Sequence, residues 1–146
     1  MPSAGKLYFS WKAIYAIHPH GRGDVTDSHV AWYSDEWVPD ICCPVSNGEL
    51  VFTLMTSGLL TCFDVKGGQK LWEQDLDMEF QASPSIVGDR LYLFEETGKV
   101  LVVEVSRQFK ELARSDLGEA VYASPAFVEG RIYIRGSKSL FCLEEK

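Results

Sequence analysis

The chain has 146 residues, and its 46% hydrophobic and 24% charged content is typical of a globular protein rather than a disordered segment. It carries 14 basic and 21 acidic residues, a formal net charge of -7. We therefore expect no nucleic-acid partner, because phosphate-binding surfaces need clustered Lys and Arg. Apolar runs such as 100–103 are far too short to span a bilayer, so we also expect no membrane insertion.

The chain repeats itself with a period of about 40 residues. The prolines before each predicted inner strand, Pro44, Pro84 and Pro125, are spaced by 40 and 41 residues, and Trp32 and Trp72 are spaced by 40. Each full unit predicts four short strands, rich in branched and aromatic residues and joined by tight turns. Four strands in about 40 residues, repeated radially, predict an all-β fold of antiparallel β-propeller blades, with a β-sandwich or β-solenoid as the alternative.

The predicted units begin and end with a partial blade. They cover about residues 6–34, 43–76, 83–117 and 124–146. We predict three strands in the first and last units and four in each middle unit. We therefore expect an incomplete ring, and we favour the C-terminal portion of a longer propeller. The alternative is a homodimer in which two copies close a ring of eight blades.

The long connection in the first unit concentrates histidines. His18, His20 and His29 lie near two aspartates, and His with carboxylate can bind a transition metal. The alternative, which we favour, is an exposed connection six residues longer than its counterpart in the next unit. Arg22-Gly23-Asp24 in the same connection spells a cell-adhesion tripeptide, a pattern that Gly-rich turns also produce by chance.

The segment that ends at Trp72 resembles the tryptophan-docking motif of the pyrroloquinoline-quinone-like (PQQ-like, or quinoprotein-like) propeller family. Asp64, Gly68 and Trp72 match its A-x-D-x-x-T-G-x-x-x-W pattern, whereas Cys62 and Gly67 replace the usual Ala and Thr. The resemblance implies a propeller in which Gly turns the chain tightly and the indole packs on the next blade. It also implies an exported protein, periplasmic or extracellular. Because the motif joins blades and does not bind quinone, we predict no cofactor.

Two adjacent cysteines are the basis of the alternative hypothesis, in which the protein binds a quinone cofactor. In some quinone-dependent alcohol dehydrogenases of this family, a disulfide between adjacent cysteines covers the cofactor. Cys42 and Cys43, with Asp40 nearby, are the candidates that this resemblance implies for a site of PQQ with calcium. We favour the other interpretation, in which Cys43 packs as Ser83 and Ser124 do at the corresponding positions.

The loops that enter the inner strands are predicted to gather on one face of the propeller. They place Trp37, Phe80 and Tyr122 at or near equivalent positions, with Gln81 beside them, in a rim of acidic residues. Aromatic anchors within a polar rim are typical of recognition sites, so we predict that these four residues face a partner. The alternative is that the rings only fill the ends of the blades.

The sequence contains no nucleophile elbow, phosphate-binding loop or metalloprotease motif, so we assign no catalytic residue and favour a non-enzyme. We predict a non-catalytic module that binds or scaffolds a protein or glycan partner. The alternative is a fragment of a PQQ- and calcium-dependent alcohol or sugar dehydrogenase. Cys62 and Cys142, at matching repeat positions, are expected to be buried apolar side chains rather than disulfide partners.

Overall fold

The computed structural model describes residues 7–10 and 12–144. All of the regular secondary structure within those ranges is β-strand. No helix that is long and apolar enough to cross a membrane occurs in this part of the chain. The strands are β1 Leu7–Ser10, β2 Ile14–Ile17, β3 Val30–Ser34, β4 Val45–Ser46, β5 Leu50–Leu54, β6 Leu59–Asp64, β7 Lys70–Asp75, β8 Ser85–Val87, β9 Arg90–Phe94, β10 Lys99–Glu104, β11 Glu111–Asp116, β12 Ala126–Val128, β13 Arg131–Arg135 and β14 Leu140–Glu144.

The strands form four antiparallel sheets in which consecutive strands pair. We name them blade 1 (β1–β3), blade 2 (β4–β7), blade 3 (β8–β11) and blade 4 (β12–β14). Among the described residues, the two middle sheets have four strands and the two outer ones have three. The described residues of the four blades do not close a ring.

Blade 2 is covered on both faces, which explains why its second strand is buried throughout. Along β5, alternate side chains point to opposite faces of the sheet. Phe52 and Leu54 pack with Leu91 and Leu93 of blade 3, in the largest apolar cluster of the described chain. Val51 points the other way and packs in the cluster formed with blade 1. We call the face of a blade that points to the next blade its forward face, and the opposite one its rear face.

Two tryptophans join neighbouring blades near their outer strands. The indole N–H of Trp32, on β3, donates to the Val65 carbonyl of blade 2 over 2.8 Å. The indole N–H of Trp72, on β7, donates to the Ser106 carbonyl of blade 3 over 3.1 Å. Gly68 has a φ of 70°, and a Cβ there would lie 2.5 Å from the Trp32 ring. Glycine therefore allows both the turn and the close approach of the indole.

Asp64 fixes the turn that receives Trp32. Its Oδ1 accepts the backbone N–H of Lys66 over 2.8 Å, and its carbonyl accepts that of Gly68 over 2.9 Å. Its Oδ2 pairs with the Arg107 guanidinium of blade 3 over 2.9 Å. The hydrogen bond from Arg107 holds the pKa of the Asp64 carboxyl below its usual value. The three residues of the docking motif thus act at both junctions of blade 2.

One cysteine prediction is wrong. Cys62 is fully buried, and burial raises the pKa of its thiol to about 12. Cys142, at the corresponding position of blade 4, is exposed, and both thiols are free. The reason is that Cys62 lies on a forward face covered by blade 3, whereas no described residue covers the forward face of blade 4.

Candidate functional site

The candidate site lies on the face where the chain enters each inner strand. We call this the entry face; it consists of the loops and turns 12–13, 35–44, 55–58, 76–84, 95–98, 117–125 and 136–139. These segments carry eight carboxylates and two lysines, whereas the turns at the other ends of the strands carry five carboxylates and four basic residues. The negative charge of the described chain is therefore concentrated on the entry face.

Carboxylates of the entry face are not neutralised by the ion pairs of the described chain. Those pairs join strand residues and the turns of the opposite face: Lys70–Glu73, Arg90–Asp89, Arg107–Asp64, Lys110–Glu104, Arg114–Glu111 and Arg131–Glu144. No entry-face carboxylate takes part in them. The potential over this face is therefore negative and favours a positively charged partner.

The prediction that Phe80 faces a partner is wrong, because its side chain is completely buried. Its backbone N–H donates to the Thr56 carbonyl of the preceding blade's turn, and the N–H of Val121 donates in the same way to the Glu96 carbonyl. Val121 is also fully buried. The structural counterpart of Phe80 is therefore Val121 rather than Tyr122, and these two side chains fill the ends of the blades.

The residues that follow these buried side chains point outward. Gln81 is exposed, and Tyr122 is 51% exposed. Tyr122 borders a cavity of about 510 Å³ on the entry face. The remaining lining residues are Asp77, Met78, Glu79, Glu95, Glu96, Thr97 and Ala120. This cavity has four carboxylates, one aromatic ring and no basic side chain, so it combines a polar rim with an aromatic anchor.

Trp37 lies apart from this cavity. It is half-buried on the rear face of blade 2, with its ring 6.4 Å from that of Phe63 and the Lys70 ammonium 3.5 Å above it. Its carbonyl accepts the buried Thr53 hydroxyl over 3.3 Å. These contacts make Trp37 part of the junction between blades 1 and 2 rather than of one surface with Tyr122.

Two carboxylates hold the entry face in shape. The Oδ1 of Asp40 accepts the backbone N–H groups of Thr56 and Ile41, and Glu119 accepts those of Ser139 and Lys138. Burial raises the pKa of both carboxyls, but these hydrogen bonds outweigh it and leave the pKa of each below its usual value. Each carboxylate therefore stays ionised near neutral pH and fixes the turn beneath it.

The cysteine pair does not fit a quinone site. The Cys42 thiol is buried and donates to the Ala82 carbonyl over 3.4 Å, and burial raises its pKa to about 11. Cys43 is exposed and unbonded to Cys42, and its N–H donates to the Ser83 hydroxyl. Asp40, the nearby carboxylate, is already committed to backbone groups. These contacts hold the start of an inner strand.

The described side chains of the histidine-rich connection are not positioned as metal ligands. Both ring nitrogens of His29 have protein partners, the His20 carbonyl and the Ser28 hydroxyl. No group of three or more His, Cys, Asp or Glu side chains within 7–10 and 12–144 is placed to hold a metal. His18 and His20 are exposed. The connection pairs Ile17 with Val30 where blade 2 pairs Phe63 with Lys70, so it is six residues longer than its counterpart.

Sequence reasoning missed a turn in the long connection that resembles the turn at Asp64. Asp24 and Trp32 lie 40 residues before Asp64 and Trp72, and the Asp24 Oδ1 accepts the Thr26 N–H as Asp64 accepts that of Lys66. The 40-residue offset alone would have found it. Asp24, the acidic residue of the Arg-Gly-Asp tripeptide, therefore has a local structural role.

The family follows from a comparison with known sequences. The family model described as Outer membrane protein assembly factor BamB matches residues 21–137. The chain belongs to this family. Membership confirms the resemblance to PQQ-like repeats that the docking motif indicated, and it agrees with the four-stranded blades described above.

Similar proteins agree with this assignment. BamB of Escherichia coli strain K12 is 28% identical over 96 residues, which are 65% of this chain and 24% of that protein. BamB of Salmonella typhimurium is 29% identical over 96 residues, again 65% of this chain and 24% of the relative. The chain thus spans about a quarter of the length of the curated relatives it matches.

Solved structures confirm the propeller-type fold. BamB from Moraxella catarrhalis superposes with a TM-score of 0.63 at 17% identity, over 92% of this chain and 41% of that one. The quinohemoprotein alcohol dehydrogenase ADHIIG from Pseudomonas putida HK5 superposes with a TM-score of 0.66 at 16% identity, over 89% and 26%. At these identities the likeness shows the fold alone, because propellers of one shape carry different functions.

Proposed function

We propose that this chain is a non-catalytic, protein-binding part of a BamB-type scaffold, and that its partner docks on the entry face. The observation that carries the proposal is the cavity of about 510 Å³ beside the exposed ring of Tyr122, lined by four carboxylates and no basic side chain. Aromatic side chains at the centre of a recognition surface supply much of its binding energy.

The charge of the entry face supports a basic partner segment. Lys or Arg side chains that reach Asp77, Glu79 and Glu96 would find carboxylates outside the ion pairs of the described chain. Charge complementarity of this kind speeds encounter and selects partners more than it adds affinity. We therefore expect association to weaken as ionic strength rises.

The relatives support the biological setting. They are called outer membrane protein assembly factors, so we propose that this chain's partner is a protein of outer-membrane assembly and that the chain works at the cell envelope. A protein partner fits this name better than a glycan. For a quinone-dependent dehydrogenase the support is fold likeness alone, and the Cys42 thiol and the Asp40 Oδ1 bond to backbone groups.

A photoreactive amino acid placed at Gln81 tests the proposal in a Gram-negative periplasm. The matched control is the same replacement at Gln108, another exposed glutamine, in a turn of the opposite face. We expect an adduct with an outer-membrane assembly protein from Gln81 and none from Gln108. We expect Tyr122→Ala or Glu79→Lys to lower its yield about tenfold, as loss of a binding anchor does. Equal adducts from both positions, or adducts from Gln108 alone, would contradict the proposal.

A further inference from the structure

Three equivalent side chains face outward where the chain enters the inner strands of blades 2, 3 and 4. Ile41, Gln81 and Tyr122 each stand three residues before the proline that precedes an inner strand. Ile41 is 60% exposed, Tyr122 is 51% exposed, and Gln81 is also exposed. We call these three side chains the inner arc.

Hydrogen bonds place the three members of the inner arc side by side. The N–H of Cys43 donates to the Ser83 hydroxyl over 2.9 Å, and the N–H of Ser83 donates to the Ser124 hydroxyl over 3.0 Å. Each of these three residues follows a member of the arc by two positions. The starts of the three inner strands are therefore tied into one row, and the arc continues from blade to blade.

The exposure of the arc is a property of its position in the loop. Gln81 has described blades on both sides and is still exposed. The next residue along the loop, Ala82, is 1% exposed, and so is the corresponding Cys42. Burial therefore alternates along these loops, and the side chains of the arc point away from the blades.

We propose that Ile41 is a second anchor on the entry face, which the partner covers with an apolar side chain while its Lys or Arg side chain enters the cavity beside Tyr122. This inference rests on the proposed function, because it concerns the same partner and the same face. It adds a contact that lies outside the cavity. Facing sheets pack about 10 Å apart, so the two contacting groups of the partner should lie about 20 Å apart.

The charges at the two ends of the inner arc support this arrangement. At the Tyr122 end, the cavity carries four carboxylates that take part in no ion pair of the described chain. At the Ile41 end, the Oδ1 of the neighbouring Asp40 already accepts two backbone N–H groups. Charge complementarity therefore favours a cation beside Tyr122, and covering Ile41 removes apolar surface from water.

Photoreactive amino acids placed singly at Ile41 and at Gln81 test the arc in the full chain, in a Gram-negative periplasm. We expect both to form adducts with the same segment of one outer-membrane assembly protein, identified by mass spectrometry of the digested adducts. Leu112 is the matched control position, because it is 41% exposed on the outer strand of blade 3 and lies outside the entry face. We expect no adduct from Leu112.

Substitutions of Ile41 then measure its share of the contact. Ile41→Asn should lower the yield of the Gln81 adduct about tenfold, as loss of a binding anchor does. Leu112→Asn should leave that yield unchanged, and Ile41→Leu should keep it because the side chain stays apolar. Ile41 is exposed, so urea unfolding of the Ile41→Asn chain should match that of the unaltered chain.

Three results would overturn the inference. The first is an adduct from Gln81 with none from Ile41 and an unchanged yield in the Ile41→Asn chain, which would leave the proposed function standing and remove Ile41 from the contact. The second is a pair of adducts that map to different proteins, because the arc would then not be one surface. The third is no adduct from either position, which would overturn the proposed function as well.

Discussion

The junction between blades 2 and 3 differs sharply from that between blades 3 and 4. At the first, the Trp72 ring centroid lies 5.9 Å from that of Phe52 and 5.5 Å from that of Phe109, and Leu50 is buried in the same cluster. At the second, Ala113 stands where the repeat has Trp72, and Arg90 where it has Leu50. A groove of about 420 Å³ remains open there, lined by Tyr92, Phe127, Ile132 and Leu143 among others.

The difference shows what closes a blade junction in this repeat. Both junctions have the same strand order and the same inner apolar contacts, with Phe94, Val121 and Ile134 fully buried at the second. What the second lacks is the large outer side chain, and every residue of β11 is exposed. The strand pattern therefore builds the blade, whereas the outer tryptophan seals it to its neighbour.

The largest effect is expected when the sealed junction is opened. Trp72→Ala removes the indole from Phe52 and Phe109 and leaves the Ser106 carbonyl without its donor. We expect a loss of about 3 kcal/mol in the free energy of unfolding, as for other large-to-small core changes. Urea unfolding at constant chain concentration measures it.

Two further variants serve as comparisons for the Trp72→Ala loss of stability. Trp72→Phe keeps most of the packing and should cost about 1 kcal/mol, the value of one hydrogen bond. Leu112→Ala, on the exposed outer strand of blade 3, should cost under about 0.5 kcal/mol. A Trp72→Ala loss no larger than that of Leu112→Ala would show that the indole does not seal the junction.

Gly68→Ala is expected to have the next largest effect. Its Cβ would meet the Trp32 ring at 2.5 Å, and its φ of 70° disfavours any side chain. We expect a loss of about 2 kcal/mol from strain and overpacking. Gly67→Ala is the matched control, since a Cβ there has no neighbour within 4 Å and should change the unfolding free energy little. Equal losses for the two would contradict the docking role.

The same contrast explains how far the sequence could predict this molecule. The repeat predicted four strands in each middle unit, and blades 2 and 3 have four, because alternation and turn residues are local properties. It misplaced Phe80 and Cys142, because their burial depends on which other blade covers them. Phe80 closes on the preceding blade's turn, and Cys142 lies on an uncovered face. Whether another blade covers a side chain is a property of the tertiary structure, and sequence periodicity does not predict it.

Arg90→Leu sharpens the comparison from the other side. The substitution gives blade 3 the leucine that blade 2 buries at the corresponding position, Leu50. The new side chain would lie beside Tyr92 and Phe127 in the open groove. Its ion pair with Asp89 has a 4.0 Å separation and is exposed, so its loss costs little. We expect a gain of about 0.5 kcal/mol in the free energy of unfolding, checked by urea unfolding. A loss of stability would show that the groove needs the guanidinium.

The smallest effect belongs to the ion pair that crosses the sealed junction. Arg107 donates to Asp64 over 2.9 Å and lowers the pKa of that carboxyl. A carboxyl with a lowered folded-state pKa adds stability above its unfolded pKa of about 3.9 and loses that contribution as pH falls through the folded value. Arg107→Gln should therefore be slightly less stable than the unaltered chain at pH 5 to 7, and the difference should vanish well below pH 4.

The control for this pH dependence is Arg114→Gln. Arg114 pairs with Glu111 within β11 and lowers the pKa of Glu111, but the pair joins no two blades. Both variants should lose their difference from the unaltered chain in acid. Only Arg107→Gln should also weaken the effect of Trp72→Ala in a double-mutant cycle, because Arg107 and Trp72 act on the same junction. A difference for Arg107→Gln that persists at pH 2 would mean that the guanidinium acts through a group other than Asp64.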